Sequence, residues 1–298
     1  MTQQRKSGAG SRTAPRERPV GPDGAAGIPQ RRPLSARSVI ASTLLGMRPP
    51  RLDTLTLVRS GELFGIAEGT TRVAISRMVA AGELEADAGG YRLSGPLVRR
   101  QTRQERSRAG APRRRWQGGW RTAVVVAGRR AAEDRGALRR AMADLRMAEL
   151  RDGVWLRPDN LGPSSPQAGG DGKDGEPLDA PARQCLWFDA RLADPEMSDH
   201  RLVGELWDLE AWATHGDRLR REMSGLLGEL HRGDTAALAP AFEVSAAVLR
   251  HFQADPLLPR ELLPAAWPGP ALRAEYDEYD AAFRAVWRTW FRQHRPQR

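Results

Sequence analysis

Cysteine is almost missing from this 298-residue chain: Cys185 stands alone, so neither an internal disulfide framework nor a cysteine metal cluster can form. It sits in an apolar stretch and reads as a packed thiol, free cysteine being among the most buried residue types. Lysine is scarce too, present only as Lys6 and Lys173 beside abundant Ala, Gly, Arg and Pro, the bias of GC-rich coding. No apolar run reaches the roughly 18 residues of a membrane span, and the basic N-terminus has no apolar signal core. A soluble, cytoplasmic protein with no membrane partner is expected. The phosphate-loop spacing GxxxxGK[ST], the GxSxG elbow and the HExxH spacing do not occur, and His200, His215, His231, His251 and His294 have no cysteine pair beside them. No catalytic residue, metal site or cofactor is therefore expected.

What the chain has in excess is positive charge, and the excess is localised. Of the net +10, residues 1–33 hold seven basic and two acidic side chains, and residues 99–115 hold eight arginines against Glu105. The remainder is close to neutral. A basic excess confined to a tail and one short segment favours a nucleic-acid partner over a uniformly cationic surface. Residues 1–33 are rich in Gly, Pro, Ser and Arg without apolar periodicity, and read as a disordered basic tail able to attract phosphates nonspecifically.

Thr70 to Ser94, TTRVAISRMVAAGELEADAGGYRLS, carries the strongest local pattern. At helical spacing Thr71, Ala74, Ile75, Met78 and Val79 share a buried stripe, while Arg72, Val73, Ser76 and Arg77 face out. Small and basic outward residues suit a helix that enters a major groove and reaches base edges and phosphates. Gly82 stops the helix, and Leu84–Ala86 and Tyr91–Leu93 flank the turn cluster at residues 87–90, giving a hairpin. Upstream, Ser35 is placed to cap a helix carrying Val39, Ile40, Thr43 and Leu44, ended by Gly46, Pro49 and Pro50. Thr54 is placed to cap a second through Leu57, Val58 and Phe64, weakened by Gly61 and closed by Gly65. Three helices and a hairpin over residues 34–95 predict a winged helix-turn-helix whose DNA-facing set is Thr70, Arg72, Val73, Ser76 and Arg77.

Residues 96–115 read as a basic linker helix, opened by Pro96 and broken at Gly110–Pro112, with Arg99, Arg103 and Arg106 recurring at i, i+4 and i+7. These either follow a DNA backbone or solvate the linker. From 116 to 198, a strand at Trp120–Ala127 with the run Val124, Val125 and Val126 reads as buried on both faces. A helix through Leu138, Met142 and Leu145 and strands at Val154–Leu156 and Leu186–Phe188 follow, with a Gly/Pro/Asp/Ser insertion at 159–181. This β-α-β-β order predicts a ferredoxin-like unit. Residues 199–298 are helical. One stripe runs through Leu219, Met223, Leu226, Leu227 and Leu230, another through Phe242, Ala246, Leu249 and Phe252, and the last helix carries Tyr276, Tyr279, Phe283, Val286, Trp287 and Trp290. DPLLPRELLPAAWPGP at 255–270 fits no standard element and reads as a rigid segment packed on the bundle. The fold class is thus α+β and multidomain.

Over residues 34–293 this order of parts resembles the PaaX-like transcriptional repressors of phenylacetic acid degradation. The resemblance is carried by SARSVIASTLLG at 35–46, RVAISRMVAAGEL at 72–84, LRDGVWLRPDNL at 150–161 and, most specifically, DPLLPRELLPAAWPG at 255–269. It implies a homodimeric repressor that binds double-stranded operator DNA through Arg72, Val73, Ser76 and Arg77. It also implies release by a small-molecule effector, an aryl-CoA thioester such as phenylacetyl-CoA or another acyl-CoA. No motif for an effector pocket transfers, and the basic tail and the insertion depart from the family pattern.

The middle region is also similar to a CRISPR-associated ferredoxin-like nuclease, so a metal-dependent nuclease or a nuclease-derived interaction module is the alternative. Those enzymes place a metal-binding aspartate at the end of the first strand, where this chain has Ala127, Gly128, Arg129 and Arg130. Arginines there oppose a divalent cation, which needs oxygen ligands. Asp134, the nearest carboxylate, falls on the following helix. In YDEYD at 276–280, helical spacing puts Tyr276 and Tyr279 on the core stripe and Asp277 and Glu278 in solvent.

Overall fold

The computed structural model describes residues 34–293 apart from 48, 88, 111–114, 127, 129–130 and 162–183. The basic tail, Ala127, Arg129, Arg130 and nearly all of the 159–181 insertion lie outside the described residues.

The N-terminal region opens with α1 (Ala36–Gly46), where the Ser35 hydroxyl accepts the Ser38 amide as the N-cap. A two-residue strand, β1 (Arg51–Leu52), precedes α2 (Thr54–Leu63). Here the cap is Asp53 and not Thr54, which is the first helical residue. One Asp53 oxygen accepts the Thr56 amide at 2.8 Å and the other accepts the Thr56 hydroxyl at 2.7 Å. A carboxylate satisfies two donors at once and meets the positive end of the helix, so it outcompetes the neighbouring threonine. Gly61, expected only as a weak point, is where α2 and α3 touch: a Cβ there would lie 2.3 Å from the Thr71 hydroxyl oxygen.

The third helix, α3 (Glu68–Ala80), begins two residues before Thr70 and ends in a turn with Gly82 in the left-handed region. The chain returns as β2 (Leu84–Asp87) and β3 (Gly90–Leu93), and β1 adds to give a three-stranded antiparallel sheet of order β1-β3-β2. Gly90 lies so close to Leu52 that a Cβ would fall 2.2 Å from the Leu52 carbonyl oxygen, and only glycine lets β1 approach the hairpin. Ile40, Leu44, Leu57, Ile75, Met78, Leu84 and Leu93 fill the core between helices and sheet.

Next comes α4 (Gly95–Ala109), with proline in its first turn and Leu97 buried in the N-terminal core. A four-stranded antiparallel sheet follows, built from β4 (Trp120–Val125), β5 (Ala148–Arg151), β6 (Val154–Pro158) and β7 (Cys185–Ala190) in the order β5-β6-β4-β7. Helix α5 (Ala132–Asp144) lays Leu138 and Met142 against Ala123, Trp155 and Cys185 on one face. The valine run is therefore not buried on both faces. Val126, past the end of β4, is 57% exposed, and on the opposite face Leu186 and Phe188 are exposed too. In an antiparallel sheet with a helix on one side, alternate residues look away from the core, a pattern that three consecutive valines conceal. Strand β5 escaped sequence reading because AELR, although it alternates, is only four residues long and has no β-branched or aromatic residue to mark a strand.

The C-terminal region comprises α6 (Asp199–Leu206), α7 (Leu209–His231), α8 (Leu238–Gln253) and α9 (Gly269–Gln293). Trp212, Leu219, Met223, Val248, Phe252, Leu272, Tyr276, Tyr279 and Trp287 form the largest core. The segment at 255–270 packs on the bundle as expected, through Trp267, and faces a second partner besides. Leu258 and Leu262 join Trp120, Leu156, Leu202 and Val203, and buried Asn160 donates its side-chain N–H to the Leu257 carbonyl at 2.8 Å. The proline-rich turn thus fastens the end of the middle sheet to the helices. No described helix is long and apolar enough to cross a membrane.

Candidate nucleic-acid interface

The helix α3 splits as its period requires. Thr71, Ile75 and Met78 are buried, Ala74 and Val79 half-buried, and Thr70, Arg72, Val73, Ser76 and Arg77 exposed. Val73 is a bulky apolar side chain left half in solvent. The Ser76 hydroxyl is turned back onto the Arg72 carbonyl at 3.2 Å. Arg72 meets Glu68 one turn earlier at 2.7 Å, an exposed i,i+4 pair, whereas Arg77 has no hydrogen bond or ion pair among the described residues. Guanidinium groups held this loosely are exchangeable: an exposed pair is worth only a few tenths of a kcal/mol.

Beside α3 the hairpin presents two arginines that sequence reading did not single out. Arg51 pairs with Asp87 at 3.1 Å and Arg92 with Glu85 at 2.5 Å, both on the exposed side of the sheet. The signal that could have found Arg92 is its alternation with buried Leu93. For Arg51 there was none, since a two-residue strand has no period.

The arginines of α4 occupy a different setting. Arg99 and Arg103 are half-buried, Arg106 is exposed, and Arg103 comes within 3.5 Å of Asp144 on α5. The helix is not a free linker but packs along α8 and touches α1. Its last turn is tied to α9: Arg108 reaches Asp277 and buried Asp280 at 2.7 Å each, and the Ser107 carbonyl accepts from Arg273 at 3.0 Å. The same Arg273 pairs with buried Asp255 at 2.8 Å, and the Ser107 hydroxyl receives Arg146 at 2.5 Å. Arg284 bonds both Asp280 and the Gly46 carbonyl at the end of α1. Phe64 at the end of α2 packs at a tilt against Phe242 of α8, with ring centroids 4.7 Å apart. The helix that faces outward is thereby mounted on the C-terminal helices through α1, α2 and α4.

Asp134, the carboxylate named for the nuclease alternative, is exposed in the first turn of α5. Of the pair Asp277 and Glu278, both face solvent as expected, but Asp280 in the same segment is buried under Arg108 and Arg284.

Helices with a small sheet, then an antiparallel sheet, then a helical region make this an α+β protein whose solvated α3 face is mounted on the rest. The PaaX-like protein family matches residues 35–97, and the PaaX-like protein C-terminal domain matches residues 207–293. A solved structure, the uncharacterized protein Rv0674 from Mycobacterium tuberculosis, is 39% identical with a TM-score of 0.63, covering 85% of this chain and 97% of that one. No curated protein matches. The chain belongs to the PaaX-like family, whose members are generally transcriptional regulators rather than enzymes, and membership implies a transcriptional regulator.

Proposed function

We propose that the protein is a cytoplasmic, homodimeric, ligand-responsive repressor that reads operator DNA with α3. The observation that carries this reading is the outward face of α3, where Arg72 and Arg77 stand exposed over a buried stripe beside a hairpin. The N-terminal order of three helices and a hairpin supports a winged helix-turn-helix, with α3 as recognition helix and β2–β3 as wing. The sheet order β5-β6-β4-β7, read by strand sequence as 2-3-1-4, supports a ferredoxin-like middle unit. Arg72 and Arg77 offer bidentate pairs to guanine, Thr70 and Ser76 offer hydroxyls, and Val73 suits a thymine methyl. Arg99, Arg103 and Arg106 would add phosphate contacts and salt dependence.

The effector of this reading is an acyl-CoA thioester, phenylacetyl-CoA first. It releases DNA only by binding the non-reading conformation more tightly. The test is anisotropy on the DNA upstream of the gene and on random DNA. Arg72→Ala and Arg77→Ala each weaken upstream-DNA binding about ten- to hundredfold and random-DNA binding far less. Equal losses on both would demote the residue to a phosphate contact. Phenylacetyl-CoA titrated into the preformed complex releases it, and an intact complex at saturation would sink the effector while leaving the DNA reading in place.

A further inference from the structure

Where α4 packs against α1 and α8, the charges of three arginines on these helices bear on a fourth, Arg100. Arg37 is in the first turn of α1, Arg100 and Arg103 are one turn apart on α4, and Arg250 is in the last turn of α8. Helix α4 lies against both α1 and α8. Arg37 pairs with Glu83 and Arg103 lies near Asp144, but Arg100 and Arg250 have neither a hydrogen bond nor an ion pair among the described residues. Arg100 is half-buried, and its guanidinium is held below the usual arginine range first by that burial and then by the charges of Arg37, Arg250 and Arg103. His215 and Arg218, in contact on α7 at 2.5 Å, extend the field: His215 is pushed down by burial and by Arg218, and further by Arg250, with Glu222 the one acidic neighbour opposing.

Crowding like charges around a half-buried, unpaired guanidinium costs stability unless an anion belongs among them. Arginine forks match phosphate oxygens bidentately, and several forks from different helices suit more than one phosphate group. We infer that Arg100 and Arg250, flanked by Arg37 and Arg103, form a binding site for the phosphates of a small polyphosphorylated ligand. A small anion can reach a half-buried side chain set between helices, which the broad backbone of a duplex reaches less well. The site joins α1 of the DNA-reading region to α8 of the C-terminal helices, so its occupant acts on the mounting of α3. That consequence, though not the binding itself, rests on the ligand-responsive reading above.

The probe is inorganic pyrophosphate, titrated calorimetrically into the full chain at low salt. Wild type binds, Arg100→Gln and Arg250→Gln bind about tenfold more weakly or worse, and the exposed-site control Arg139→Gln binds as wild type does. Because Arg100→Gln relieves repulsion, it melts no lower than wild type, and pyrophosphate raises the melting temperature of wild type alone. Equal pyrophosphate binding by Arg100→Gln and wild type overturns the site. So does a loss confined to DNA affinity and its salt dependence, which would make the cluster a DNA-backbone contact. Pyrophosphate binding that Arg100→Gln abolishes but that leaves DNA affinity unchanged supports the site and counts against the ligand-responsive reading.

Discussion

Two helices of this protein carry arginines to opposite ends. On α3 the guanidinium groups look into solvent: Arg72 leans on one exposed glutamate and Arg77 on nothing among the described residues. On α9, Arg273 is 13% exposed against an Asp255 side chain at 4%, and Arg284 shares buried Asp280 with Arg108. The same residue type is thus left to solvent in one place and made a fastening in the other, and the difference lies in what surrounds it. A desolvated charge is held by its partner, whereas a solvated one is available to the next anion that arrives.

The largest test of that contrast removes a partner. Asp255→Ala strands Arg273 in the interior and frees the Leu257 amide, which the same carboxylate accepts at 2.8 Å. Breaking a buried pair costs about 3–5 kcal/mol. Urea unfolding should show a loss of that size, against a change within about 0.5 kcal/mol for Arg77→Ala, a surface substitution. A loss under about 1 kcal/mol in Asp255→Ala would mean that Arg273 finds other partners and that the two sets of arginines do not differ in kind.

Most of α3 and its exposed face was legible in the sequence because a helix half in solvent writes its period into residue types. Thr71, Ile75 and Met78 against Arg72, Ser76 and Arg77 is such a record. The fastening was not legible. Arg108, Arg273 and Arg284 look like any solvated arginines in a charged stretch, and Asp280, although helical spacing puts it one turn from Tyr276 on the core stripe, carries a charge that reads as solvated. Their roles come from contacts across 166 and 172 positions of chain, between Ser107 and Arg273 and between Arg108 and Asp280. No local period encodes such pairings. The proline-rich 255–270 segment falls between: its composition announced packing, but not that Leu258 and Leu262 would meet Trp120 and Leu156.

The next effect extends the contrast from arginines to a buried histidine of the C-terminal region. His251 is stacked on Trp212 at 4.1 Å, which stacks on Trp267 at 4.4 Å. Its Nε2 has no hydrogen-bond partner among the described residues and faces Gly216, where a Cβ would lie 3.2 Å away. Burial pushes its pKa down to about 3, and the neighbouring charges of His215, Arg273 and Arg218 push the same way. Between that value and the unfolded pKa near 6.5 the unfolded chain binds a proton that the folded one does not. Stability therefore falls as pH drops below about 6.5, by about 2 kcal/mol on reaching pH 5. Unfolding at pH 7 and pH 5 should show His251→Phe losing less stability over that interval than wild type does. An unchanged pH slope in the variant would put the titration elsewhere.

The smallest effect falls on the reader itself, where Glu68 is both a first-turn carboxylate favourable to the α3 dipole and the partner of Arg72. Both contributions are solvated, so Glu68→Gln costs only about 0.5 kcal/mol of stability. On DNA the sign reverses. If α3 is the reading helix proposed above, the substitution removes a negative charge beside the DNA phosphates and releases Arg72 to reach them, so affinity should rise about twofold at low salt and the gain should vanish at high salt. Anisotropy at both salt concentrations measures this. If Glu68→Gln instead weakens upstream-DNA binding at both salts, then Glu68 positions Arg72 for its base, and the reading face is more fixed in place than its exposure suggests.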